Sequence, residues 1–389
     1  MRQWKLIFPT NNLRPFHKYL EGVFFILMTG KLNEGDVMEG IFAICLADLF
    51  AHNTIDKSRV NRIRREIDPE LFRNGRFSRE VWRVRDGSPA DNVGVTLNLR
   101  LKYNSTNMAF GSNYEPLYNS SSDIGNIDKK ISTLISFTNT YYRGMIQRVK
   151  DSYLKNNQSD EVNIVVDADG IAGESSGGNI KGDLEVRVTI NGVLQMDKKM
   201  TFSLKSGSKT LANLSPYNGI MDVISRFGVQ LNSADDTKFR TVLGEQLSQA
   251  RTPAEKRMKV DLINQLYDLT LSELKSGAGT PQFTNAAFQL FKDVTFGDDL
   301  ANVVDIDKTK IKEITVEHIN QLQESTTGFT VIPTGKGAAK TLKFKMVPGG
   351  KELFQLRFKK RVIGTGEDFQ IKELKFYVEA GTGAYAPKL

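Results

Sequence analysis

Cysteine is almost missing from this chain, with Cys45 the one example in 389 residues. A single thiol can neither close an intrachain disulfide nor supply the paired cysteines of a zinc site, and a reducing compartment fits it. Histidine is scarce too: His17, His52 and His318 stand far apart without metal-ligand spacing, and each reads as a structural or surface residue. Long apolar runs are lacking. The longest near the start, residues 23–28, falls far short of the roughly 20 residues that span a bilayer, and no secretory pattern precedes it. A cytoplasmic protein without a membrane partner is therefore expected. Phosphate-cradling loops are missing as well. Gly335-Lys336-Gly337 lacks the spaced glycine and the Ser/Thr of a P-loop, the turn over 170–182 lacks G-x-G-x-x-G, and neither Ser203 nor Ser206 sits in G-x-S-x-G.

What is plentiful is positive charge. Lys and Arg number 53 against 45 Asp and Glu, a formal net charge of +8, which suits an anionic partner because clustered cations gain free energy by releasing phosphate counterions. The excess is concentrated in two stretches. Residues 57–85 are dense in arginine, and Glu66, Asp68, Glu70 and Glu80 could make this an ordinary solvated face, but the positive excess favours contact of Arg62 and Arg65 with nucleic-acid phosphate. Residues 340–361 are nearly free of acids and hold Lys343, Lys345, Lys359, Lys360 and Arg361. Alternation in strands would put several of these on one surface, with Phe344, Phe354 and Phe358 toward the core.

Periodicity predicts the remaining organisation. Residues 13–30 read as one or two apolar helices, and 35–50 as a helix with one apolar face and Glu39 near its start. A strand is expected at 93–103, a polar connection at 104–126, a helix at 128–155 and a buried strand at 162–166. After a glycine-rich turn come strands at 183–190 and 200–205, joined at the Asn191-Gly192 hairpin signal. A helix at 216–227 follows, then a mainly helical stretch, and finally strands at 341–346, 353–359 and 373–379. This is one α/β core with large insertions. Five segments result: 1–56, N-terminal helices of the core; 57–127, a basic insertion; 128–229, the catalytic core; 230–339, a mainly helical insertion; and 340–389, basic strands completing the core.

Chemistry concentrates in Lys181-Gly182-Asp183-Leu184-Glu185 and, past the hairpin, Phe202-Ser203-Leu204-Lys205. Side chains alternate along a strand, so Asp183 shares a face with Glu185, and Ser203 with Lys205. If those faces coincide, carboxylates stand beside an ammonium group across two strands. Phosphodiester hydrolysis uses such a grouping: carboxylate oxygens hold Mg²⁺ and a lysine orients the attacking water.

With Glu39 on a helix, Asp183 on a strand and Lys205 on the next, the arrangement resembles the PD-(D/E)xK superfamily of restriction-endonuclease-like nucleases. Residues 162–170 resemble the strand leading into such active sites, and 354–357 and 374–379 the closing strands of such cores. The resemblance implies an α/β core with a mixed sheet flanked by helices. It also implies Mg²⁺-dependent cleavage of DNA, double-stranded, with Mn²⁺ able to substitute, by an enzyme of the restriction or phage and mobile-element type in a bacterial or phage-infected cell, often a homodimer. On this reading Asp183 is the principal metal ligand, Glu39 and Glu185 accessory ligands, and Lys205 the water-positioning group. The chain departs from the pattern at Ser203, where the superfamily carries an acid; Glu185 is the nearest substitute, ahead of Asp167 and Asp169. Two other classes stay open: a nucleic-acid-binding protein that keeps the fold without catalysis, and a structural or assembly protein with a basic surface.

Overall fold

The computed structural model describes residues 34–74, 76–83, 93–100, 127–144, 146–147, 161–168, 182–195, 200–205, 209–298, 300–306, 311–335 and 339–387. The expected helices at 13–30, the connection at 104–126 and most of the turn at 169–182 lie outside the described residues. The chain forms two compact units. The first comprises 1–170 and 186–199, the second 171–185 and 200–389. They cut across the expected segments: the basic stretch 57–127 shares a unit with 128–170.

In the first unit, helix α1 (Glu34–His52) is followed by α2 (Lys57–Asn74), β1 (Arg76–Arg83), β2 (Val93–Arg100), α3 (Ile127–Tyr141), β3 (Val162–Ala168) and most of β4 (Leu184–Ile190). The strand order is β1-β2-β3-β4. β1 and β2 run antiparallel and β2 and β3 parallel, so the sheet is mixed, with helices packed against it. The expected single apolar face of α1 is corrected: residues 38–50 are buried throughout, as a helix apolar on all sides must be. Glu39 and Asp48, which lie in that stretch, are buried with it. Asp48 accepts from Arg59 Nε at 2.8 Å and from the Asp56 N–H at 2.9 Å. Cys45 is fully enclosed, and burial, helped by Asp48, pushes its thiol pKa far up, so it is an inert core residue.

The hairpin forms where the Asn-Gly pair signals it. Asn191 and Gly192 take φ of 48° and 79°, the positive pair that a type I′ turn requires and that Asn and Gly tolerate best. The turn returns the chain into the short β5 (Val193–Leu194), paired to β4.

The second unit holds β6 (Met200–Lys205), β7 (Thr210–Leu214), α4 (Pro216–Phe227), α5 (Ser233–Thr237), a π-helix (Lys238–Gln246), α6 (Pro253–Gly277), α7 (Pro281–Phe296), β8 (Asn302–Ile306), β9 (Ile311–Ile314), α8 (Val316–Ser325), β10 (Gly328–Thr334), β11 (Ala339–Val347), β12 (Glu352–Ile363) and β13 (Gln370–Ala380). β6 pairs parallel with β8, and β8 antiparallel with β9. The segment 230–339, expected to be mainly helical, thus contains three strands. The C-terminal strands do not join β6 as expected. They form a five-stranded sheet of order β10-β11-β12-β13-β7. One face of it, with Leu342, Phe344, Phe354, Leu356, Phe358, Phe376 and Val378, is buried in a core shared with α4, α6 and α7. Phe344 stacks on Phe354 at 4.2 Å and on Phe283 at 5.9 Å, each ring worth about 1.5–3 kcal/mol by burial. Helix α4 lies so close that a Cβ on Gly219 would stand 2.6 Å from Phe376 Cδ1. Among the described residues, no helix is long and apolar enough to cross a membrane.

Candidate active site

Asp183 sits in a bend one residue before β4 rather than as its first residue. Its N–H donates to Phe202 O at 2.7 Å. Its Oδ2 accepts from Ser203 Oγ at 3.2 Å and from the Leu204 N–H at 3.0 Å. The carboxylate is thus fastened to β6, whose last residue is Lys205. Ser203 is 1% exposed and Glu185, on β4, is 8% exposed; Lys205 is half-buried. The expected meeting of Asp183 with the Ser203 strand is present in the second unit.

Alternation sends Ser203 and Lys205 to one face of β6. Across the parallel pair their Cα partners on β8 are Val303 and Asp305, and partners in register project to the same side. Asp305, only 5% exposed, accepts from Tyr385 Oη at 3.3 Å. Burial, then the charge and hydrogen bond of Asp305, raise the Tyr385 phenol above its ordinary pKa. Lys312 Nζ lies 5.1 Å from the Tyr385 ring centroid. Sequence reading missed this carboxylate because Asn302–Ile306 was absorbed into a helical stretch; an apolar run broken by one Asp was the available signal.

Glu39 belongs to the first unit, on α1, and is 7% exposed. Asp167, the weaker substitute for the missing acid, is occupied otherwise: Arg187 forms an ion pair with it and Asn98 Nδ2 donates to it at 3.2 Å. Asp169 lies outside the described residues. His52 serves α1, its Nδ1 2.9 Å from Asp48.

The cations separate into two kinds. Arg62 lies 3.8 Å from Glu66, Arg79 lies 3.9 Å from both Glu66 and Glu70, and Arg65 Nε donates to Asn61 O at 3.2 Å. Glu66 and Glu70 therefore engage arginines of this stretch, as in a solvated face. The C-terminal cations also find acids: Lys343 meets Glu352 at 3.1 Å and Lys359 meets Glu373 at 2.9 Å.

Among the described residues, no group of three or more His, Cys, Asp or Glu side chains is placed to hold a metal. Mg²⁺ does not require one, since it keeps several waters and commonly takes one or two carboxylates together with substrate phosphate. The all-oxygen set of Asp183, with Ser203 beside it and Glu185 near in sequence, fits such an ion in chemistry.

Comparison of the chain with protein-family models, curated proteins and solved structures finds no match.

Proposed function

We propose that the protein is a metal-dependent DNA endonuclease of restriction-endonuclease-like architecture, with its reacting centre at Asp183 and Lys205. One observation carries the reading. The Asp183 carboxylate is fixed by Ser203 Oγ and the Leu204 N–H to the strand that ends in Lys205, which groups an acid with a lysine as phosphodiester hydrolysis demands. Asp183 would hold Mg²⁺ or Mn²⁺, with Glu185 as a further oxygen donor; Glu39 belongs to the first unit and is left out of this set. When bound, the ion stabilises the negative charge that develops on phosphate and lowers the pKa of its water. Lys205 directs the attacking water by donating from its ammonium, and Asp305, across the β6–β8 pair, sets a carboxylate on the same face.

Purified protein incubated with plasmid in Mg²⁺, Mn²⁺ or EDTA tests this. Cutting is expected with either metal and not in EDTA. Asp183→Asn and Lys205→Met should each reduce it by about 10²-fold or more, because charge stabilisation and water positioning act in the transition state. Cutting at the wild-type rate by both variants would place the active site elsewhere. A second reading, a binder that does not cut, draws on Ser203. The position that holds an acid in the resemblance carries a hydroxyl donated to Asp183. Salt-sensitive retention of plasmid without nicking in any metal would favour it.

A further inference from the structure

The solvent-facing side of the five-stranded sheet has a charge arrangement that catalysis at Asp183 does not use. Alternation turns Leu342, Phe344 and Met346 of β11, and Phe354, Leu356 and Phe358 of β12, into the core. The intervening positions face outward: Lys343 and Lys345 on β11, Arg357, Lys359 and Arg361 on β12, and Lys375 on β13. Lys360 has the opposite parity and leaves the set of cations expected to act together.

Three acids share this face, each lying lower than its cation. The Glu379 side chain is 9% exposed against 37% for Arg357, Glu352 15% against 35% for Lys343, and Glu373 20% against 39% for Lys359. An approaching molecule therefore meets guanidinium and ammonium groups ahead of carboxylates. Lys359 and Lys375 are also Cα partners across β12 and β13, and like charges directly opposite one another cost stability. The Glu373 carboxylate offsets part of this cost, hydrogen-bonded by Lys359 and within the field of Lys375. Along β12 the cations recur every second residue, about 7 Å apart, with the next strand about 5 Å away. Regular rows of this kind match a polymer of evenly spaced charges better than the irregular acids of a protein surface.

We propose that this face docks the phosphodiester backbone of DNA without reading its sequence; that the polymer is DNA rests on the function proposed above. The test is fluorescence anisotropy of a fluorescein-labelled duplex with the full chain in EDTA, over a range of salt. The variant combines Lys345→Gln, Arg361→Gln and Lys375→Gln. It should bind about tenfold more weakly or worse at low salt, and flatten the plot of log affinity against log salt by up to about 0.9 per lost phosphate contact. Lys360→Gln should leave both unchanged. Circular dichroism melting checks folding, and if the triple variant fails there, the three single variants should each flatten the slope by less. An unchanged slope in folded variants overturns the proposal. Equal competition by polyglutamate of matched charge also overturns it, in favour of an acidic protein partner. Because EDTA removes cleavage from the measurement, the two readings separate. Wild type that binds in this way but never cuts refutes the nuclease and keeps the docking face; wild type that cuts, with variants that bind like it, refutes the docking face alone.

Discussion

Ser203 is closed in, 1% exposed, with its hydroxyl spent on Asp183. Deleting that hydroxyl would remove one hydrogen bond, about 1 kcal/mol. Replacing it by a carboxylate does something more informative. Ser203→Glu would set a second negative charge against Asp183 in a site with little water, and two such groups resist ionising together. In EDTA the variant should melt below wild type, and Mg²⁺ should return more of the loss than it adds to wild type, since binding to the native state alone raises stability. Thermal melts with and without Mg²⁺ measure this. A deficit that Mg²⁺ leaves untouched would mean that the position cannot feed a metal site. Asp305 shows how a residue can be invisible in sequence yet placed with purpose. It gains its significance only from the β6–β8 register and from Tyr385, which lies 80 positions away in the chain.

Helix α6 begins with a complete capping box. Glu255 N–H donates to Thr252 Oγ1 at 3.2 Å, and the Glu255 carboxylate accepts from the Thr252 N–H at 2.9 Å and the Arg251 N–H at 2.8 Å. Thr252→Ala should cost about 1 kcal/mol. The two backbone donors, Thr252 first, hold Glu255 below its ordinary pKa. A carboxylate depressed in the folded state contributes stability that is complete above its unfolded pKa and lost as pH falls through the folded one. Acid melts should therefore show wild type losing stability below about pH 4.5, the unshifted value for this group, and Glu255→Gln losing less over that range. Equal acid slopes would show that the box does not titrate with folding. Elements with local signals are legible in the sequence, as Asn191-Gly192 is for the hairpin and the helical stretch from Pro216 is for α4, whose start the structure shows capped by Ser215 accepting from the Asn218 N–H. β6 and α4 have the predicted bounds. The strands that escaped lack local signals. β8 is a short apolar run that a buried helix could equally contain. β10 contains Pro333, which argues against a strand but is tolerated here because β10 is an edge strand. β7, at the opposite edge, is defined by pairing with β13 far along the chain. In the candidate site, Asp183, Ser203 and Lys205 were legible from spacing, whereas the Asp183 contacts with β6 are matters of packing.

The two units are interleaved in sequence, because the chain passes between them at 170–171, 185–186 and 199–200. Within the second unit the five-stranded sheet depends on β13, which lies between β12 and β7. Ending the chain at Gly364 removes β13 together with Phe376 and Val378, both buried. Losing a large buried ring alone costs about 3–5 kcal/mol, so the second unit should not reach its native packing. Limited trypsin digestion read by mass spectrometry should find α6 and α7 cut in the shortened protein and protected in the full chain; matched protection would show that β13 is dispensable.

The same placement of β13 imposes a timetable on biosynthesis. β7 is made near residue 210, but its partner begins at Gln370. At about 5–20 residues per second, the ribosome leaves this edge waiting on the order of ten seconds. During that wait α4, α6 and α7 are already out with apolar sides that the finished sheet will cover. β13 is thus the strand that seals the unit, and the nascent chain carries an uncovered core until that strand emerges.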